Sequence, residues 1–225
     1  MMKRQRAICA RWLGACGVFL LSGCGALTMK PPTPIDHKSL TRVRVEGHSP
    51  SLSHRDDELR LGRFTVDDVE GTPIFPPGRT AYGRMPQQDQ WKYTYQVSDG
   101  KKKLRGECEE TVGEVRYYGL GDTTLDVHCR CLSGESVQAE LRVNRGKGKA
   151  LIAPGHRFAV FGTRGSAQGS RSRAILGYKL QSGTTLAAVD VTKQAATYTA
   201  AALPPEQELP LACVYAGLLL HRPNR

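Results

Sequence analysis

The sequence predicts a mainly β protein, with antiparallel hairpins forming a barrel or sandwich and a buried apolar helix at the C-terminus. Three observations support this. Trp91, Tyr93, Tyr95 and Val97 alternate with Lys92, Thr94 and Gln96, the period of two that marks a half-buried strand. Turn-forming pairs such as Asp99-Gly100 and Ser182-Gly183 punctuate the alternating runs. Residues 211–220 then abandon alternation and are apolar on every side, so a helix there must be enclosed by the rest of the protein.

Taken in order, residues 1–23 are a leader, 24–57 an extended tether, and 58–225 a single β-rich domain. The tether contains Lys30-Pro31-Pro32-Thr33-Pro34, and prolines hold such a segment extended; a short strand is allowed at 42–45. The domain opens near Leu59, where Leu-Arg-Leu-Gly-Arg-Phe-Thr-Val reads as one strand. Residues 71–90, rich in Pro and Gly, read as a long loop. With Asp99-Gly100 as a two-residue turn, Tyr95 should face Leu104, Tyr93 Gly106 and Trp91 Cys108, the glycine leaving room for a ring.

A second hairpin places Leu125, Val127, Cys129 and Cys131 on one face, returning through Val137, Ala139, Leu141 and Val143. A three-residue Ser133-Gly134-Glu135 loop pairs Cys131 with Val137 and Cys129 with Ala139. A two-residue loop would oppose a core face to a wet one. Strands follow at 149–152 and 157–161, then a polar, Gly/Ser-rich loop at 162–173 that is expected to be mobile. A third hairpin spans 174–191, with Ala174, Leu176, Tyr178 and Leu180 on one face, Leu176 opposing Val189 and Tyr178 opposing Ala187. Pro204-Pro205-Glu206-Gln207-Glu208 resembles a helix start, Pro210 is expected to delay the regular helix, and His221-Arg222-Pro223 ends it. Ten apolar residues cannot span a bilayer, which takes roughly 18 or more.

The leader has the layout of an export signal. Lys3, Arg4, Arg6 and Arg11 precede an apolar stretch at 12–21 of about ten residues. Leu21-Ser22-Gly23-Cys24 follows, and this segment resembles a bacterial lipobox. The resemblance implies cleavage before Cys24 and acylation of its sulfur with a diacylglyceryl group, usually joined by an N-acyl chain such as palmitate. Each buried methylene contributes about 0.8 kcal/mol, and stable anchoring takes more than one chain. Gly25 stands where an aspartate often retains lipoproteins at the inner membrane. The implied location is therefore the cell envelope, at the outer membrane facing the periplasm if the cell is Gram-negative. Separately, hairpins followed by an apolar C-terminal helix resemble the tubby-like superfamily, including LURP-one-related and scramblase-related proteins. That likeness implies a barrel enclosing the helix over residues 59–221; no phosphoinositide-binding residue can be carried over.

Losing residues 1–23 removes four cations, so the formal net charge falls from +11 to +7. Lys101-Lys102-Lys103 is the longest basic run and reads as a solvated hairpin rim. Basic and aromatic residues do not interleave as nucleic-acid binding would require, and export argues against that partner. Cys108, Cys129, Cys131 and Cys213 remain, in a compartment where disulfides form. A Cys108–Cys129 or Cys108–Cys131 bridge would close a loop of about 20 residues, worth roughly 3 kcal/mol, with Cys213 free to staple the helix to the other cysteine. The metal alternative is weaker, because His128 points to the face opposite Cys129 and Cys131 and zinc needs four placed ligands. No metal or cofactor is expected.

The histidines at 37, 48, 54, 128, 156 and 221 form no metal or catalytic motif, and there is no G-x-S-x-G elbow. Asp56-Asp57, Asp67-Asp68 and Glu109-Glu110 are adjacent pairs that a strand turns to opposite faces. Arg145-Gly-Lys-Gly-Lys149 lacks P-loop spacing and reads as a turn before a strand. The expectation is a non-enzymatic envelope lipoprotein that binds another envelope component or supports an assembly, partnered with the membrane through Cys24. The alternatives are a lipid- or small-ligand-binding barrel, which needs an open apolar pocket, and an envelope hydrolase, which needs a deep polar cleft holding His128 or His156 beside a carboxylate.

Overall fold

The structure is a computed structural model that describes residues 28–31, 40–47, 58–74, 87–114, 123–172, 175–183, 185–192, 194–200 and 203–221. Among these, twelve strands form one closed antiparallel barrel and a single helix follows them. The strands are β1 (Leu40–Glu46), β2 (Leu59–Leu61), β3 (Phe64–Ile74), β4 (Gln87–Ser98), β5 (Lys103–Glu114) and β6 (Thr123–Ser133). They continue as β7 (Ser136–Asn144), β8 (Lys147–Ile152), β9 (His156–Thr163), β10 (Gly177–Ser182), β11 (Thr185–Asp190) and β12 (Ala196–Ala200), and α1 is Pro205–Leu220. Each strand pairs with its neighbour in sequence, and β1 closes the ring by pairing with β12 and β2. Closure leaves no unpaired sheet edge.

The alternation read from the sequence is the inside–outside code of this barrel. Tyr93, Tyr95 and Val97 are buried while Lys92 is exposed, and Ala139, Leu141 and Val143 are buried while Arg142 is exposed. Apolar residues dominate the inner face and charged ones the outer, the inverse of a bilayer-spanning barrel. The helix occupies the inside, with Leu209 through Leu219 all buried and contacts to β3, β4, β5, β6, β7, β8 and β11.

Several registers differ from expectation, each for a local reason. The run from Leu59 to Val66 is two strands, because Gly62 takes a positive φ of 66° and Leu61 pairs with Phe64. The β4–β5 loop has four residues, since Ser98 pairs with Lys103. Asp99 Oδ1 accepts the amides of Lys101 (2.9 Å) and Lys102 (2.7 Å), bonds that also hold its carboxyl below the usual carboxylate range. Tyr95 therefore faces Gly106, Tyr93 faces Cys108 and Val97 faces Leu104. A slip of two residues changes partners but keeps the buried face. The third hairpin slips likewise: Tyr178 faces Val189 and Leu180 faces Ala187. Ala174 lies outside the described residues.

In the second hairpin the turn is the two residues Gly134-Glu135, because Ser133 pairs with Ser136. An irregularity between Cys131 and Leu132 skips Gln138 and restores the phase, so Cys131 faces Ala139 and Cys129 faces Leu141. An inserted residue is how a bulge corrects alternation. Val137, beyond the bulge, is 48% exposed, not buried as expected. Of the expected loop at 71–90, the residues up to Ile74 belong to β3 and those from Gln87 to β4, and residues 75–86 lie outside the described residues. Pro210 does not delay α1: it lies within the helix, near enough to the start to remove one intrahelical bond.

The tether is the largest departure. Residues 40–46 are a barrel strand, and Thr28 to Pro31 lie on the outer wall, with Met29 1% exposed. An extended chain has free backbone donors and acceptors, and here the barrel takes them up.

Candidate functional site

The barrel interior is filled and cross-linked. Gly106 receives the Tyr95 ring, whose Cζ would lie 2.1 Å from any added Cβ. The Tyr95 hydroxyl donates to the Cys213 carbonyl (2.8 Å) and that of Tyr93 to the Gly217 carbonyl (2.9 Å), so two wall tyrosines grip successive turns of α1. Burial pushes the Tyr95 hydroxyl well above its ordinary pKa. Around it stand two disulfides, Cys108–Cys129 (2.02 Å) and Cys131–Cys213 (2.12 Å). The first joins facing residues of β5 and β6, and the second staples α1 to β6. Gly217 is required here, because a Cβ would meet the Tyr95 hydroxyl at 2.9 Å and Cys129 Sγ at 3.0 Å. The sequence placed these four cysteines together and left their pairing open; the register selects one member of the set it allowed.

At the end of α1, His221 Nδ1 lies 3.0 Å from Glu110 Oε2, with both side chains at most 3% exposed. The contact is off the line of a hydrogen bond. Tyr178 stands beside it, its ring 6.4 Å from the imidazole, and burial with the Glu110 carboxylate pushes its hydroxyl up. Glu109 points outward to Lys92, so this adjacent pair splits between faces as the strand requires.

The other candidates separate. His128 lies on the open outer wall, 2.9 Å from Glu140 Oε1, and Arg142 holds the same carboxylate. These bonds, Arg142 first, keep Glu140 below the usual carboxylate range. His156 stacks on Phe158 at 5.2 Å. Asp68 takes a positive φ of 49° at a register irregularity in β3 and accepts from Gln96. Arg145 and Gly146, at φ 49° and 76°, form the turn between β7 and β8, as read. Lys101, Lys102 and Lys103 are exposed at the hairpin rim. Cys24, His37, His48, His54, Asp56 and Asp57 lie outside the described residues.

An apolar cavity of about 310 Å³ opens beside the start of α1, lined by Val43, Leu61, Phe64, Leu203, Leu211 and Tyr215, with the Arg63–Glu208 ion pair among its walls. The Tyr215 hydroxyl donates to the Tyr198 carbonyl (3.1 Å).

The feature that sequence reading missed is the seat of the N-terminal segment. Met29 N donates to Asp190 Oδ2 (3.0 Å), while Asp190 Oδ1 accepts from Thr192 N (2.9 Å). Lys30 N donates to Gly165 O and Ala167 N to Thr28 O, both at 2.9 Å. The Met29 side chain joins Leu176, Ala188, Ala196 and Tyr198 in an apolar cluster separate from the main core, and Gly177 leaves it room, since an added Cβ would meet Met29 Sδ at 2.2 Å. The receiving loop, expected to be mobile, is closed on itself by Ser166 N to Ser170 O (2.9 Å) and Ser172 N to Arg164 O (2.7 Å). One signal was readable: residues 141–189 contain nine Lys and Arg and no Asp or Glu. Nothing in composition marked Met29.

Compared with known protein families, curated proteins and solved structures, the chain matches none of them.

Proposed function

We propose that this chain is a bacterial envelope lipoprotein, acylated on Cys24, whose barrel is a non-enzymatic binding or scaffolding body held close to the membrane. The observation that supports this is the seat of Thr28 to Pro31 on the wall. Gly25, Ala26 and Leu27 alone separate Cys24 from Thr28, a reach of at most about 14 Å fully extended. The anchor and the barrel are then neighbours, with no long spacer between them. In a Gram-negative cell, Gly25 favours the outer membrane facing the periplasm, and disulfides fit an oxidising compartment. A barrel enclosing an apolar C-terminal helix is the arrangement that the tubby-like likeness implies, which supports that relationship at the level of architecture.

Replacing Cys24 with Ala is expected to move the protein from the membrane to the soluble fraction, and mass spectrometry of the natural protein should find a chain starting at an acylated Cys24. Unchanged fractionation would contradict the anchor.

A second reading is a small apolar ligand in the cavity beside α1, favoured by its lining. Binding of a fluorescent fatty acid should then be lost in Ala212→Phe, which fills that cavity; equal binding by the variant rules the reading out. The hydrolase reading has the least support, since His128 and Glu140 lie on an open wall with the carboxylate already held by Arg142.

A further inference from the structure

We propose that the outer wall of β8–β10 is the face on which the barrel lies against the membrane, and that a basin there takes anionic phospholipid headgroups. This rests on the lipoprotein reading and says which way the anchored barrel faces.

The basin has a volume of about 670 Å³, and its charged lining is Lys30, Arg145, Lys147, Arg164, Arg171 and Lys179, with no Asp or Glu. Among the described residues none of these six takes part in an ion pair. Like charges gathered without acids repel one another, so the cluster is stabilised when an anion enters. Phe161, also in the lining, is 43% exposed, an apolar ring among cations as expected at a headgroup boundary.

Position makes a lipid surface the fitting anion. Lys30 belongs both to the seated N-terminal segment and to the basin. The acylated sulfur, at most about 14 Å from Thr28, would hold the bilayer surface beside this basin. The acid-free stretch 141–189 supplies all of these cations except Lys30. Outside it, the mature chain has 19 Lys and Arg against 21 Asp and Glu. The net positive charge of the processed chain thus resides in this stretch. Each cation near an anionic leaflet contributes about 1 kcal/mol, roughly fivefold in the docking equilibrium.

The test uses the full-length acylated protein in vesicles of phosphatidylcholine alone or with phosphatidylglycerol, read by amide hydrogen exchange across residues 145–147 and 164–172. Protection is expected only with phosphatidylglycerol. In Lys147→Glu/Arg164→Glu/Arg171→Glu the docking equilibrium should fall on the order of a hundredfold or more, with the melting midpoint unchanged. Lys101→Glu/Lys102→Glu/Lys103→Glu, the same charge change at the β4–β5 loop, should leave docking intact. Equal protection in both vesicle types overturns the proposal, as does equal loss in the two triple variants. Millimolar inorganic phosphate giving the same protection without vesicles would assign the basin to a soluble anion and also overturn it. The anchor is read separately from the mass of Cys24. An unmodified Cys24 with phosphatidylglycerol-dependent protection removes the anchor and keeps the docking face; an acylated Cys24 without that protection does the reverse.

Discussion

Inside the barrel, Tyr93 and Tyr95 reach carbonyls of α1 and His221 lies against Glu110, while the Tyr178 hydroxyl and Gln207 Oε1 are buried without a hydrogen-bond partner. On the outer wall of β8–β10, six cations share one basin with no acid lining it. The outer wall of β4–β7 lies between these extremes, with Lys92 on Glu109, Arg130 on Glu107 and Arg142 on Glu140. Burial penalises each unpaired polar group inside by on the order of 1–3 kcal/mol. Water imposes no such demand outside, so a wall left unbalanced is free to serve binding. Interior changes should therefore move stability and spare membrane docking, and basin changes should do the opposite.

The largest expected effect tests the interior. Cys131→Ser/Cys213→Ser removes a bridge across a sequence separation of 82, worth roughly 4–5 kcal/mol by chain entropy. Denaturant unfolding should show that loss while the folded variant still fractionates with membranes. A loss below about 1 kcal/mol would mean that α1 is held by packing alone. Next, His221→Leu strands the Glu110 carboxylate in the core, at a cost of about 3 kcal/mol. Glu110→Leu/His221→Leu should recover much of it; a double variant less stable than the single one would show that loss of the imidazole does not strand Glu110. The smallest effect belongs to the wall. The basin triple variant should unfold within about 0.5 kcal/mol of the parent, as surface substitutions do, and a larger shift would break the division between inside and outside.

The parity of each strand was legible because burial imposes it residue by residue. Tyr93, Tyr95, Cys129, Cys131 and Leu180 are buried on the faces that alternation assigned. Pairing partners were less legible, because turn length is set by local bonds such as those of Asp99, and a bulge at Gln138 has no composition signature. The candidate site divided the same way. The cysteines were visible as a set, whereas Met29 and Asp190 are 161 positions apart and no local pattern connects them.

Fold class, inward faces, the enclosed helix and the cysteine cluster were all present in the order of residues, since each depends on periodicity or on chemistry that neighbours share. Closure of β1 onto β12, the choice of disulfide partners and the gathering of Lys30 with Arg145, Arg164 and Arg171 came only with folding. These depend on which distant segments the ring of strands brings side by side. Proximity of that kind follows from closing the whole barrel and is written in no single stretch of chain.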